Sequence, residues 1–166
     1  MSDFKIVTPE ATTNMVTNPS IEEATTGYTA VGGSVARSTA QARFGVASLA
    51  VTPTAGTADG VYYGTVSLTS GQDYTMSVWV LGVAGVPYRI YFGSTGGAVL
   101  GTPTTFTGTG EWQEVTVTWT ENSTTTRRLY IVKNNSSNTG VFYVDALQCE
   151  NKSYATTYCD GSLVGN

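Results

Sequence analysis

The sequence predicts an all-β protein, a sandwich of two sheets packed face to face, and three observations carry that expectation. Charged residues make up only 12% of the 166 residues, in a background of Thr, Ser, Gly and Val; β-branched residues favour strands, and Gly and Asn serve turns. Short segments with apolar residues at every second position recur between clusters of Gly, Ser, Thr and Asn. No segment shows the 3.6-residue apolar period of an amphipathic helix. Each alternating strand offers one face to bury, and two sheets packed on each other bury all of those faces at once. The length suits a single domain with a core large enough to stand without staples, and no fixed-period repeat points to a propeller or solenoid.

In chain order, the expected strands are "SVARST" (Ser34–Thr39), "ASLAVTP" (Ala47–Pro53), "GTVSLT" (Gly64–Thr69), "DYTMSVWVLG" (Asp73–Gly82) and "PYRIYFG" (Pro87–Gly93). There follow "TTFTG" (Thr104–Gly108), "EWQEVTVTWTE" (Glu111–Glu121), "TRRLYIVKN" (Thr126–Asn134) and "VFYVDALQC" (Val141–Cys149). "TSGQ", "GVAGVP" and "NNSSNTG" read as hairpin turns before Tyr74, Tyr88 and Val141. After Glu150 the pattern dissolves. The expected division is an N-terminal arm over 1–13, a sandwich over 14–150, and a C-terminal arm or linker over 151–166.

Alternation also assigns faces. Met76, Val78 and Val80 share one parity, as do Tyr88, Ile90 and Phe92, and Leu129 and Ile131; these form the expected core. Trp79, Arg89, Tyr91, Arg128 and Tyr130 then point away from it. If their strands neighbour one another, these five make one aromatic and basic patch suited to stacking on sugar rings, to cross-strand pairing, or to a protein interface. Trp112 and Trp119 are expected to pack, and Glu111 and Glu114 to lie on an exposed edge.

Several function classes are excluded or disfavoured. A net charge of −4 with 8 Lys and Arg gives no broad basic footprint for nucleic acid. No apolar run reaches membrane-spanning length. The first residues lack the basic segment and apolar stretch of a cleavable export signal; with Met1 as the natural start, the chain is expected to remain in a cytoplasm until something else releases it, and a chain whose signal had been removed would look the same. With His at 0, a Ser-His-Asp or Cys-His arrangement is impossible, and no glycine-rich phosphate loop follows a strand. The carboxylates fall mostly in turns or termini (Asp3, Glu10, Asp59, Asp73, Glu121), where solvation accounts for them, and the chain reads as a non-enzyme. Cys149 and Cys159 are compatible with a disulfide closing the tail or with two reduced thiols.

Asp145 stands out. In "VFYVDALQCE", strict alternation puts Phe142, Val144 and Ala146 on one face and Tyr143, Asp145 and Leu147 on the other, so a carboxylate sits among apolar residues and needs a partner. A catalytic role, a metal, or backbone N–H donors would each supply one.

Six stretches in order resemble a carbohydrate-binding module of the families 4 and 9 type: "NMVTNPSIEE" (Asn14–Glu23), "GYTA" (Gly27–Ala30), "FGVASLAV" (Phe44–Val51), "YTMSVWVLG" (Tyr74–Gly82), "GEWQEVTVTWT" (Gly110–Thr120) and "FYVDALQCE". The resemblance implies a β-jelly roll. "NMVTNPSIE", "YRIYFG", "RRLYIVKNN" and "SYATTYCDG" (Ser153–Gly161) further resemble modules carried by bacteriophage tail and other virion proteins, although there the last motif usually runs into a Pro-Gly-Cys segment and here it ends as "CDGSLVGN". The resemblance also implies a structural calcium ion, with Glu22 and Asp145 as ligands and carbonyls around "RFGVAS" completing the shell. The expectation is a non-catalytic virion protein (tail fibre, head fibre or capsid decoration). It would bind host-surface glycan or other virion proteins and form a homo-oligomer within the particle, without nucleic acid or membrane insertion. The alternative is a module cut from a secreted glycoside hydrolase.

Overall fold

The computed structural model describes residues 10–163, and every element in it is a β-strand. The strands are β1 (Thr12–Thr13), β2 (Tyr28–Val31), β3 (Ser34–Ser38), β4 (Ser48–Thr52), β5 (Gly60–Leu68) and β6 (Asp73–Leu81). They continue as β7 (Pro87–Gly93), β8 (Val99–Thr107), β9 (Trp112–Thr120), β10 (Thr125–Lys133), β11 (Phe142–Glu150) and β12 (Ser162–Leu163). Two antiparallel five-stranded sheets face each other: the first in the order β2-β5-β10-β7-β8, the second in the order β3-β4-β11-β6-β9. A small β1-β12 ribbon ties the ends together.

The core lies between the sheets and follows the parity of the sequence. Val61, Tyr88, Ile90, Phe92, Leu129 and Ile131 enter it from the first sheet, and Leu49, Met76, Val78, Val80, Phe142 and Val144 from the second. Trp119 packs against this core, while Glu111 and Glu114 are exposed beside or on β9, an edge strand.

The three expected hairpins are crossings instead. "TSGQ" carries the chain from β5 to β6, "GVAGVP" from β6 to β7, and "NNSSNTG" from β10 to β11, each time from one sheet to the other. Gly85 has a φ of +78° with open space where a side chain would be, so backbone conformation alone selects glycine there. Such a turn reverses the chain equally well within a sheet or between sheets. The consecutive strands that pair are β3 with β4 and β7 with β8.

Strand β11 breaks the expected alternation. Ala146 adopts a φ of +51°, and the register against β6 shifts between Asp145 and Gln148, which marks a bulge. Asp145, ahead of the bulge, keeps the outward parity opposite Trp79, and the extra residue then brings Leu147 and Cys149 into the core with Val144. Burial holds the Cys149 thiol well above the usual range.

The tail returns to the sandwich. The Asn14 side chain donates to the carbonyls of Leu147 and Cys159, and the Cys159 N–H donates to Gln148 Oε1. Glu150, buried at 1% exposure, accepts from Thr12 Oγ1 at 2.6 Å and from the Thr156 N–H and hydroxyl. Burial alone would raise this carboxyl, but these bonds together hold it below its ordinary value. Residues 1–9 of the expected N-terminal arm, Asp3 among them, and 164–166 lie outside the described residues.

Two carboxylates assigned to solvated turns are in fact enclosed. Asp59 accepts from Thr54 Oγ1 and the Gly56 N–H. Glu121 is fully buried and takes a two-pronged contact from Arg127 at 2.7 and 2.8 Å. The Arg127 hydrogen bonds bring the Glu121 carboxyl from 4.5 down to about 2, against the opposing effect of burial. Its folded value lies below its unfolded one, so its contribution is complete above pH 4.5 and is lost as pH falls toward 2. Glu121→Gln should therefore flatten the acid limb of the stability curve in that window, by roughly 1–3 kcal/mol. Identical acid limbs for variant and parent in denaturant titrations would refute this.

Candidate functional site

The outer face of the first sheet carries a row of tyrosines. Register places Tyr62 on β5 opposite Tyr130 on β10, and Tyr130 opposite Tyr91 on β7. The Tyr91 and Tyr130 rings stack at 4.8 Å and 3°, and Tyr62 lies against Tyr130 at 5.3 Å with a 42° tilt. Gly93 makes room for this packing, since a Cβ there would sit 2.4 Å from the Tyr130 ring. Tyr91 and Tyr130 are each 5% exposed, whereas Tyr62, at the end of the row, is partly exposed.

Arginines close both flanks. Arg128 lies 4.4 Å over the Tyr62 ring, and Arg89 lies 5.3 Å from the Tyr91 ring centre. The Nε atoms of both arginines are buried without a hydrogen-bond partner. Burial pushes the Tyr91 phenol up, partly offset by Arg89, so this hydroxyl is neutral near pH 7. The face thus offers a half-open ring bordered by planar donors, an arrangement that can cover the C–H face of a ring and hold oxygen acceptors at its edge.

Four of the five residues expected in one patch are therefore together, and Trp79 is not among them. Its parity is as expected, but β6 belongs to the second sheet, so Trp79 occupies that sheet's outer face. There Arg43 covers its ring at 4.0 Å, Phe44 meets it edge-on at 6.2 Å, and Tyr158 stacks on Phe44 at 5.1 Å. Phe44, Trp79 and Tyr158, with Glu114 and Thr116, border a cavity of about 400 Å³. Tyr62 lies ahead of the expected strand, which begins at Gly64, whereas β5 begins at Gly60. The alternating "VYYG" just before it is the signal that would have found it.

Glu22 and Asp145 converge on one backbone segment. Asp145, fully buried, accepts from the N–H groups of Arg43 and Phe44 at 2.8 and 3.0 Å through Oδ2, and from Ala146 through Oδ1. Glu22 accepts from the N–H groups of Val46 and Ala47 and packs on Gly45, where a Cβ would lie 1.9 Å from Oε1. Burial raises the Asp145 carboxyl; the three amides pull it back and the nearby Glu22 charge adds to the rise. Among the described residues, no cluster of three or more Asp, Glu, Cys or His side chains is placed to hold a metal.

A family model described as a carbohydrate binding domain matches residues 13–138. No curated protein matches the chain. The fold is shared with the CBM22-1 xylan-binding domain of Paenibacillus barcinonensis Xyn10C, at 18% identity, a TM-score of 0.60, and coverage of 91% of this chain and 100% of that one. It is shared with a Family 16 Carbohydrate Binding Module-2, at 16% identity, a TM-score of 0.62, and coverage of 82% and 99%. It is also shared with the enzymatically active domain of tailspike protein 4 of bacteriophage CBA120, at 15% identity and a TM-score of 0.61, over 82% of this chain and 21% of that one.

Proposed function

This chain belongs to the carbohydrate-binding domain family, and from that premise we propose that it is a non-catalytic module holding glycan on the tyrosine row of its first sheet. The observation that carries the proposal is the juxtaposition of Tyr62, Tyr130 and Tyr91 across three neighbouring strands, bordered by Arg89 and Arg128. Tyr62 is the ring with an open side, so Tyr62→Ala should abolish retention in glycan affinity electrophoresis while lowering stability by only about 1 kcal/mol. Unchanged retention by a folded Tyr62→Ala protein would overturn the assignment of this face.

The setting we propose is a virion surface, where a homo-oligomer alongside other virion proteins would turn weak sites into firm attachment to a host glycan. The closing "SYATTYCDG" motif supports it, as does the fold's presence in a phage tailspike. The alternative, a module of a secreted glycoside hydrolase, is supported by the likeness to a xylan-binding domain. Mass spectrometry separates the two: peptides of this chain in purified particles support the first, and peptides in culture fluid joined to a catalytic domain support the second.

We also propose a structural calcium ion held by Glu22 and Asp145, with carbonyls of the Arg43–Ser48 segment completing its shell. Support comes from the convergence of both carboxylates on that segment, each with acceptor capacity left after its backbone bonds. A divalent charge there would relieve the mutual repulsion that burial makes costly. When bound, it would pin the opening segment to the last long strand.

A further inference from the structure

We infer that the tyrosine-row face selects an anionic saccharide, one bearing carboxylate, sulfate or phosphate; this rests on the glycan-binding reading of that face.

The five strands of the first sheet contain no Asp, Glu, Asn or Gln, in a chain with 12 Asp and Glu against 8 Lys and Arg. The carboxylates that occur within strands of the sandwich, Asp73, Glu114, Asp145 and Glu150, are all on the second sheet. The first sheet carries Arg89, Arg127, Arg128 and Lys133. Arg127 is taken by Glu121, and the Lys133 ammonium donates to the carbonyls of Thr54 and Asn138. Asp59, at the end of β5, is turned into Thr54 and Gly56. Among the described residues, Arg89 and Arg128 form no ion pair, and both Nε atoms are buried unsatisfied.

This donor set decides the chemistry. A hydroxyl of a neutral sugar both donates and accepts, so a site for it is served best by carboxylate or amide acceptors beside its donors. Here the strong groups only donate, and the side-chain acceptors are weaker hydroxyls of tyrosine, threonine and serine. The ligand must therefore bring acceptor oxygens, and a charged oxyanion uses a guanidinium fork best. Neither Nε has a partner within the protein, so an anion at either guanidinium meets no competing acceptor on that group. The chain's overall negative charge does not cancel this preference, because at physiological salt charges beyond about 8 Å are largely screened.

The test pairs ligands that differ only in charge. Isothermal titration would compare oligogalacturonate with its methyl ester, a sulfated with an unsulfated oligosaccharide, and a neutral xylo-oligosaccharide. Binding is expected for acidic members, lost on esterification or desulfation, and weakened by raising salt from about 0.05 to about 0.5 M. Arg89→Gln and Arg128→Gln should each weaken it roughly tenfold, with melts reporting that the variants fold. The carboxylate and sulfate arms identify which anion is preferred. Salt-insensitive binding of neutral members at Tyr62, equal to or tighter than their acidic partners, overturns the inference and leaves the glycan reading intact. No binding by any member, or binding indifferent to Tyr62→Ala, removes both. The ligand pairs and the salt series need no variant, so a misfolded arginine variant does not rescue the idea.

Discussion

Asp145→Ala is expected to destabilise the protein by about 2–4 kcal/mol, although it removes no apolar contact from the core. The N–H groups of Arg43, Phe44 and Ala146 all lose their acceptor. One of these belongs to the bulge residue with a φ of +51°, so the variant also loses what braces the irregular turn of β11. Removing a desolvated charge returns part of the cost, which keeps the effect below the sum of the three bonds. Denaturant titration measures this, and a change under about 0.5 kcal/mol would show that the amides are satisfied without Asp145. Calcium is tested by the same melts: with Glu22 and Asp145 as ligands, EDTA should lower the melting temperature of the parent, since an ion bound to the native state stabilises it by mass action. EDTA should leave Asp145→Ala unaffected. A parent melt unmoved by chelation and by added calcium would remove the ion and leave the backbone bonds as the whole role of Asp145.

The second large effect contrasts two apolar truncations. Ile131→Ala should cost about 2–5 kcal/mol, because Ile131 is fully enclosed between the sheets and its loss leaves a cavity. Trp79→Ala deletes a larger side chain but should cost only about 1–2 kcal/mol. Its ring sits on an outer face, held by Arg43 and Phe44 instead of by the core. Glycan binding at the tyrosine row should survive Trp79→Ala, since Trp79 lies on the other sheet. Loss of binding in this variant, with Tyr62→Ala neutral, would move the site to the cavity lined by Phe44, Trp79, Glu114 and Tyr158.

Much of the fold and part of the site are legible in the sequence. Strand identity and parity are local: a pleated chain sends successive side chains to opposite faces, so "DYTMSVWVLG" and "PYRIYFG" declare Met76, Val78, Ile90 and Phe92 inward without reference to any other strand. The same logic turned Arg89, Tyr91, Arg128 and Tyr130 outward, and they share one face. What alternation cannot say is which sheet a strand joins. β6 and β7 are consecutive, yet the turn between them crosses the sandwich, so Trp79 is parted from Tyr91 despite matching parity. Sheet membership is set by pairing between strands far apart in sequence, as β10 with β5 and β11 with β4. Only the burial of all the apolar faces together selects that pairing. The bulge at Ala146 has the same origin, because one residue in a left-handed conformation resets the period of β11 when amides from Arg43 and Phe44 are there to hold Asp145. The sequence by itself therefore determined an all-β sandwich and, outside the bulged half of β11, the inward and outward parity of the strands it marked. Tertiary structure alone decided which outward side chains meet, because that depends on the partners each strand finds across the fold.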